Sequence, residues 1–224
     1  MGYGRRQHHG YRHGNRNSPS MSRLQVFHNV AGGPKVNAFV DGEVVLSNVP
    51  YKGASGYLLL PSGRHTVTVA PVGSRDPLVE VTVDLVPNTS YTAIVHGALS
   101  GGEIDLLLLQ DNLNCPAEGK SHVRFVHAAA TVPAVDVYAN GNIIFENVSY
   151  GETGKPVYLA VDSDIYLVQV TPAGKKDVVF QTELVLENGR IYSVIASGLL
   201  DDPRTPITAL VSEDSSGMCV VSRV

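Results

Sequence analysis

Two histidines occupy matching positions, and each opens a similar stretch of sequence. His28 opens HNVAGGPKVNAFVDG, and His127 opens HAAATVPAVDVYANG. A histidine held by a carboxylate can act as a base for a nucleophile, and Asp136 follows closely behind His127. The matching residue after His28 is Asn37, however, and no serine or cysteine motif accompanies either histidine. We therefore predict that both are structural, each bound to a buried backbone carbonyl or, in the second stretch, to Asp136.

The sequence contains none of the common catalytic motifs. We find no G-x-S-x-G, no H-E-x-x-H, no phosphate-binding loop and no dinucleotide fingerprint. The adjacent carboxylates Asp201–Asp202 and Glu213–Asp214 lie in polar segments, where solvation accounts for them. We therefore expect a protein that is not an enzyme and that uses neither a cofactor nor a metal.

The first 21 residues differ in charge from the remainder of the chain. They hold four arginines and no acidic residue, whereas the remainder carries 13 basic and 21 acidic residues. His8, His9 and His13 could ligate a transition metal, but the neighbouring arginines would repel a cation. We expect a flexible tail without a metal and without nucleic acid, because the acidic remainder repels phosphate. No segment has the apolar length of a signal peptide or a membrane span.

Two cysteines allow three states. Cys115 follows the last predicted strand of the first half, and Cys219 follows that of the second. Two free thiols are the simplest expectation. A disulfide within one chain would require the halves to lie side by side, because sandwiches stacked end to end would separate the cysteines too widely. A cross-link between subunits would require only that copies stack in series.

The chain contains a tandem duplication. Shifting it by 99 positions aligns residues 22–51 with 121–150 and gives nine identical pairs, and a shift of 101 continues the match. We predict a basic tail over residues 1–21, a first repeat over 22–111 and a linker over 112–120. A second repeat follows over 121–213, with a strand-capable extension over 214–224.

Each repeat has the pattern of β-structure. Asp41-Gly42 and Asn140-Gly141 separate apolar-rich runs and suit the positive φ angles of two-residue hairpin turns. HTVTVAP and YLVQVTP alternate with the period of half-buried strands. Seven or eight short strands in each repeat predict an all-β protein of two tandem antiparallel immunoglobulin-like β-sandwiches.

These residues resemble a known bacterial family, catalogued as domain of unknown function 4397. The motifs that carry the resemblance are the strand leading to His127, the PAVDVY stretch ending at Tyr138, and VQVTPAG at residues 168–174. The first repeat is more diverged, with Asn37 in place of the aspartate. The resemblance implies tandem β-sandwiches of cell surfaces or the extracellular space, and it implies no activity.

Three functional hypotheses follow. The first is a non-enzymatic structural protein of a bacterial cell or spore surface that assembles with copies of itself, although a cytoplasmic location stays open. The second is an adhesive module that binds a protein or a carbohydrate through loops at one end of a sandwich. Its candidate contacts are the tyrosines that recur in both repeats, namely Tyr51, Tyr57, Tyr150 and Tyr158. An enzyme is the third and least favoured hypothesis.

Overall fold

The computed structural model describes residues 20–100, 103–112 and 114–214, and these residues form an all-β protein. Sixteen strands are arranged in four sheets, which pair into two sandwiches. The predicted fold class is therefore confirmed. Residues 1–19 of the predicted basic tail and residues 215–224 of the extension, Cys219 included, lie outside the described residues, and Met21 of the predicted tail is the first residue of the first strand.

The first repeat contains eight strands. They are β1 (Met21–Ala31), β2 (Val36–Val40), β3 (Glu43–Val49), β4 (Leu58–Pro61), β5 (Gly63–Pro71), β6 (Val79–Leu85), β7 (Ser90–Ala98) and β8 (Asp105–Gln110). The second repeat has the same eight. They are β9 (Lys120–His127), β10 (Val135–Ala139), β11 (Asn142–Val148), β12 (Leu159–Asp162), β13 (Ile165–Pro172), β14 (Phe180–Val185), β15 (Ile191–Ser197) and β16 (Thr208–Glu213). The four-residue strands β4 and β12 are too short to give an alternating pattern, and the sequence did not reveal them.

The two sandwiches share one topology. In the first, the sheet β4-β1-β7-β8 faces the sheet β3-β2-β5-β6, and the second repeats this order as β12-β9-β15-β16 and β11-β10-β13-β14. Most neighbouring strands are antiparallel, but β1 pairs in parallel with β7, and β9 pairs in parallel with β15. The duplication in sequence is therefore a duplication in topology.

The predicted hairpin turns form at the expected dipeptides. Asp41 and Gly42 have φ angles of 52° and 83°, and Asn140 and Gly141 have φ angles of 49° and 79°. Positive φ at both central residues is the geometry that joins two strands in the tightest hairpin. These turns place β2 against β3 and β10 against β11.

Four strands are buried on both faces. All nine residues of β7 are buried, as are most residues of β1, β9 and β15. On one face, residues such as Leu24, Tyr91 and Val95 fill the core of their own sandwich. On the other face, residues such as Phe27 and Ile94 pack against the other repeat. The two sandwiches therefore lie side by side and share a buried interface.

Candidate functional site at the interface between the repeats

The centre of the interface is apolar. Its fully or almost fully buried side chains are Phe27, Ile94, Val126, Ala128 and Ile195, with Leu107, Leu109 and Leu210 packed around them. Phe27 and Val126 are matching residues of the two repeats, as are Ile94 and Ile195. Equivalent residues therefore meet across the interface, as they do around a twofold axis.

A buried ionic cluster lies beside this apolar centre. Arg124, in the middle of β9, has a side chain with no exposed surface. Its Nη2 atom donates to Asp111 Oδ1 of the first repeat at 2.8 Å and lies 3.3 Å from Asp214 Oδ2 of the second. Both carboxylates are also fully buried. One guanidinium thus joins two carboxylates that end matching strands.

Hydroxyl groups complete the hydrogen bonding of the two carboxylates. Tyr57 and Thr92 donate to Asp111, both at 2.8 Å. Tyr158 and Ser193 donate to Asp214 at 2.9 and 2.6 Å, in the matching arrangement. These bonds compensate for the loss of water around the buried charges.

The cluster departs from symmetry at one position. The residue that matches Arg124 in the first repeat is Gln25, whose Nε2 donates to Thr92 Oγ1 at 2.8 Å. The interface therefore buries two aspartates with one arginine. Burial raises the pKa of Asp214, and the neighbouring Asp111 also raises it, although Arg124 and Ser193 oppose the rise. When two buried carboxyl groups share one positive charge, burial and their mutual repulsion favour protonation of one of them.

Tyr57 and Tyr158 are structural parts of this cluster. Burial and the nearby carboxylates raise the pKa of both hydroxyls far above the usual range, so both donate protons. The guanidinium carbon of Arg124 also lies 4.9 Å from the ring centroid of Tyr158. Tyr57 is bound in the cluster as a donor, whereas Tyr158 in addition lines an open cleft described below.

Tyr51 and Tyr150 bridge the repeats at the opposite end of the interface. Tyr150 hydroxyl lies 2.7 Å from His96 Nδ1, and Tyr51 hydroxyl lies 3.0 Å from Ser197 Oγ. His96 and Ser197 are matching residues, so the two bonds are reciprocal. Burial raises the pKa of both tyrosines and lowers that of His96. These contacts hold the repeats together.

The two repeat histidines are buried and each contacts a backbone carbonyl. His28 Nε2 lies 2.8 Å from Pro34 O, and His127 Nε2 lies 2.9 Å from Pro133 O. Burial lowers the pKa of both, and the carbonyl contacts only partly oppose this. The imidazoles are therefore neutral near pH 7.

Asp136 accepts hydrogen bonds from backbone amides and, within the described part of the chain, makes none with His127. Its Oδ1 accepts from Asn147 N at 2.7 Å, and its Oδ2 accepts from Gly174 N at 2.8 Å. Asn37 makes only the first of these contacts, accepting from Asn48 N at 2.9 Å. The carboxylate of Asp136 thus stabilises two turns of the second repeat by hydrogen bonds. It forms no pair with His127, which contacts Pro133 O instead.

Cys115 is disulfide-bonded, so the expectation of a free thiol is wrong at this position. The side-by-side packing of the repeats meets the geometric condition that a bridge within one chain requires. Cys219 lies outside the described residues, and the cross-link between subunits stays a prediction.

The part of the chain with coordinates holds no group of three histidine, cysteine or carboxylate side chains placed to bind a metal. The candidate tail ligands His8, His9 and His13 fall outside it. Nor does that part include a helix that could span a membrane.

An open polar cleft of about 770 Å³ lies at the rim of the interface, near the ionic cluster. It is lined mainly by Arg23, Asn88, Thr89, Ser90 and Gln110 of the first repeat, by Asn112 and Asn114, and by Val157 and Tyr158 of the second. The cleft exists only because the two repeats pack side by side.

The sequence matches the model of a known protein family. Residues 22–138 and 121–218 each match the family described as "Domain of unknown function (DUF4397)". The chain belongs to this family. The two matches cover both repeats, which confirms the tandem arrangement of DUF4397 repeats. No protein of curated function matches the chain.

Several solved structures match the chain with low sequence identity and low TM-scores. The Bacillus anthracis TIE protein is 14% identical over 80% of this chain and 34% of its own length, with a TM-score of 0.27. A family-26 carbohydrate-binding module of Eubacterium rectale Amy13K, solved with maltoheptaose, is 10% identical over 86% and 97% of the two chains, with a TM-score of 0.28. A candidate cell adhesion protein of Parabacteroides distasonis is 11% identical over 88% and 97%, with a TM-score of 0.26. Likeness at this level says nothing about a shared ligand, and the DUF4397 chain spans only about a third of the first protein.

The central residues of the interface were not predicted from the sequence. Asp214 was expected to be solvated, but its side chain is fully buried against Arg124 because the second DUF4397 repeat ends at the interface. One signal was present in the sequence. YTAIVHGAL and YSVIASGLL are nearly continuous apolar runs, which indicate strands covered on both faces. Arg124 stands at the outward position of a similar strand.

Proposed function

We propose that the chain is a non-enzymatic module of a bacterial surface in which two β-sandwiches act as one rigid structural body. The observation that carries this proposal is the buried cluster of Arg124, Asp111 and Asp214. Asp111 of the first repeat is held by Arg124 of the second, so separating the repeats would break this buried ion pair, while Arg124 and Asp214 would stay together in the second repeat. Most interfaces between domains of one chain allow the domains to move relative to each other. An interface with an apolar centre and a buried ion pair across it resists this motion.

The reactive side chains at the interface support a structural role. Histidines contact carbonyls, tyrosines bridge the repeats and the carboxylates share one guanidinium. The disulfide at Cys115 supports an oxidising location, because disulfides persist mainly outside the reducing cytosol. A location at the cell or spore surface agrees with both observations.

Surface labelling tests the proposal. Intact cells and intact spores of the source bacterium would be treated with a membrane-impermeant biotin reagent, with a cytosolic protein as the control for lysis. We expect labelling of this chain without labelling of the control. Labelling that occurs only after lysis would contradict a surface location.

Assembly with copies of itself is a finer part of the same proposal. Negative-stain microscopy of the full chain would be compared with a variant lacking residues 1–21 and 215–224. Filaments that disappear on truncation would support a self-assembling subunit. Isolated particles in both samples would exclude assembly through the two ends.

A second candidate function is adhesion, and the polar cleft between the repeats favours it. The lining side chains of Arg23, Asn88 and Gln110 have no hydrogen-bond or ion-pair partner within the described part of the protein. An open, rigid cleft with free hydrogen-bonding groups is typical of a binding site. We therefore propose the junction of the two repeats as the binding site for the adhesive alternative.

A further inference from the structure

We propose that the cleft between the repeats binds a neutral saccharide, an inference that rests on the adhesive candidate function. The cleft is formed by β1, the β6–β7 loop and the end of β8 in the first repeat, and by the segment before β12 in the second. Four features support the proposal: free polar groups, a fixed aromatic wall, the contrast with the second repeat, and the charge of the protein.

The first feature is a set of polar side chains with free hydrogen-bonding capacity. Within residues 20–100, 103–112 and 114–214, no hydrogen bond or ion pair engages the side chain of Arg23, Asn88 or Gln110. Amides offer donors and acceptors in one plane, and a guanidinium offers a fork of donors. Sugar hydroxyls both donate and accept, so neighbouring hydroxyls of one ring suit these groups.

The second feature is a rigid aromatic wall. Tyr158 lines the cleft, and its hydroxyl donates to buried Asp214 while Arg124 lies over its ring. Asp111 also borders the cleft, but its carboxylate is fully buried, where Arg124 and Tyr57 hold it. A ligand that enters would therefore meet groups already held in place, and a preorganised site loses little entropy on binding.

The third feature is the contrast with the matching positions of the second repeat. Glu213 ends β16 as Gln110 ends β8, and there it forms an ion pair with Arg190. Gly189 takes the place of Asn88, and both have positive φ angles, of 75° and 57°. In the second repeat Glu213 is thus paired with Arg190. In the first repeat the side chains of Asn88 and Gln110 have no partner within the described residues.

The fourth feature is charge. The residues after the basic tail carry 13 basic and 21 acidic side chains, and such a body repels polyanions. The carboxylate of Asp111 faces Arg124, so it presents no free charge to a ligand. Arg23 is the one cation among the lining residues. A single exposed guanidinium on an acidic body suits sugar hydroxyls better than an anionic polymer.

The test is binding of the full chain to immobilised neutral hexasaccharides of glucose, mannose and N-acetylglucosamine, with hexagalacturonate as the acidic comparison. The site variant combines Asn88→Gly with Gln110→Ala. Glycine suits the positive φ of residue 88 and occurs at the matching position 189, so this variant keeps the fold. Arg190→Ala is the matched control on the second repeat.

We expect one class of neutral hexasaccharide to bind, with at least tenfold weaker affinity in the site variant and in Arg23→Ala, and with less than a twofold change in the control. Binding of hexagalacturonate alone would overturn the neutral class. Equal affinity of the site variant and the natural chain would overturn the location. If no saccharide binds, the inference fails, while surface labelling decides the structural proposal independently.

Discussion

Arg124 is the residue on which the interface depends most. Among the described residues it is the only cation that contacts the two carboxylates of the buried cluster, and its own side chain is fully buried. Burial acts to lower the pKa of the guanidinium, but Asp214, Tyr158 and Asp111 together raise it. The charged form is therefore stable in the folded protein, and both aspartates rely on it.

Replacing this arginine should destabilise the protein strongly. Arg124→Met keeps an apolar chain of similar length but leaves Asp111 and Asp214 without a counter-ion. We expect the free energy of unfolding to fall by about 3–5 kcal/mol, the usual cost of breaking a buried ion pair. Urea denaturation monitored by circular dichroism would measure the change.

The matched control is Arg64→Ala. Arg64 forms an exposed ion pair with Asp84, and both side chains are more than two-thirds exposed. Exposed pairs contribute about 0–1 kcal/mol, so this variant should unfold nearly as the natural chain does. Similar losses in the two variants would show that the buried cluster has no special role.

The second strand of each repeat carries a side chain that binds nearby turns, and the two repeats differ in how many turns it binds. Asp136 accepts hydrogen bonds from two turns, at Asn147 and Gly174, whereas Asn37 binds only Asn48. The turn that matches Gly174 contains Gly73, whose φ of 82° is close to the 70° of Gly174. The backbone is thus alike in both repeats, and the side chain differs.

Exchanging these side chains should change stability in opposite directions. Asp136→Asn replaces one accepting oxygen with a donor that faces Gly174 N, and we expect a loss of about 1–2 kcal/mol. Asn37→Asp supplies an acceptor for Gly73 N, and we expect a gain of up to about 1 kcal/mol. Chemical denaturation of each single variant would measure both effects. A loss from Asn37→Asp would mean that the first repeat has no free amide to bind.

At the scale of the whole molecule, the interface should make the two repeats unfold together. Its apolar centre and ionic cluster disappear if either sandwich unfolds, so neither repeat keeps its full stability alone. We expect one calorimetric transition whose calorimetric and van't Hoff enthalpies agree. Two separate transitions would contradict the rigid body proposed above.

Acidification should weaken the whole molecule. Burial lowers the pKa of His28, His96 and His127 below 6.5, the value in the unfolded chain, although Asp105 partly opposes this at His96. Just below pH 6.5, these histidines therefore bind more protons in the unfolded chain than in the folded chain. The free energy of unfolding is highest above pH 6.5 and falls as the pH drops through 6.5, by up to about 1.4 kcal/mol per pH unit for each histidine.

Two groups act in the opposite direction. His65, whose pKa is raised by Asp41 and a carbonyl in spite of burial, adds stability below pH 6.5 that is lost as the pH rises. Asp214, whose pKa burial raises, takes up a proton more readily in the folded chain than in the unfolded one. The three buried histidines, together with His122, whose pKa burial also lowers, outnumber His65 near pH 6.

The variant His96→Ser isolates one of these histidines, because serine occurs at the matching position 197. We expect urea denaturation between pH 8 and pH 5 to show a shallower loss of stability in this variant than in the natural chain. Identical slopes would mean that His96 stays neutral in both states or that other groups control the acid response.

Sequence patterns alone were enough to predict the tandem arrangement and most strands of each repeat. The shift of 99 positions revealed the duplication, and the Asp41-Gly42 and Asn140-Gly141 turns revealed the hairpins, because a turn with positive φ angles accepts few residue types. The alternating runs revealed the strands, since one face of each must be buried. The turns and the alternating runs are local patterns, and the duplication appears when the chain is compared with itself, so a single sequence contains all three signals.

The contacts of the charged interface residues could be seen only in the tertiary structure. Asp214 is far in sequence from Asp111 and Arg124, and each of the three alone looks like an ordinary charged residue near a strand or at its end. They meet because two sandwiches pack side by side, and the open cleft exists for the same reason. Packing between repeats depends on the shape and burial of entire sheet faces, which no local pattern specifies.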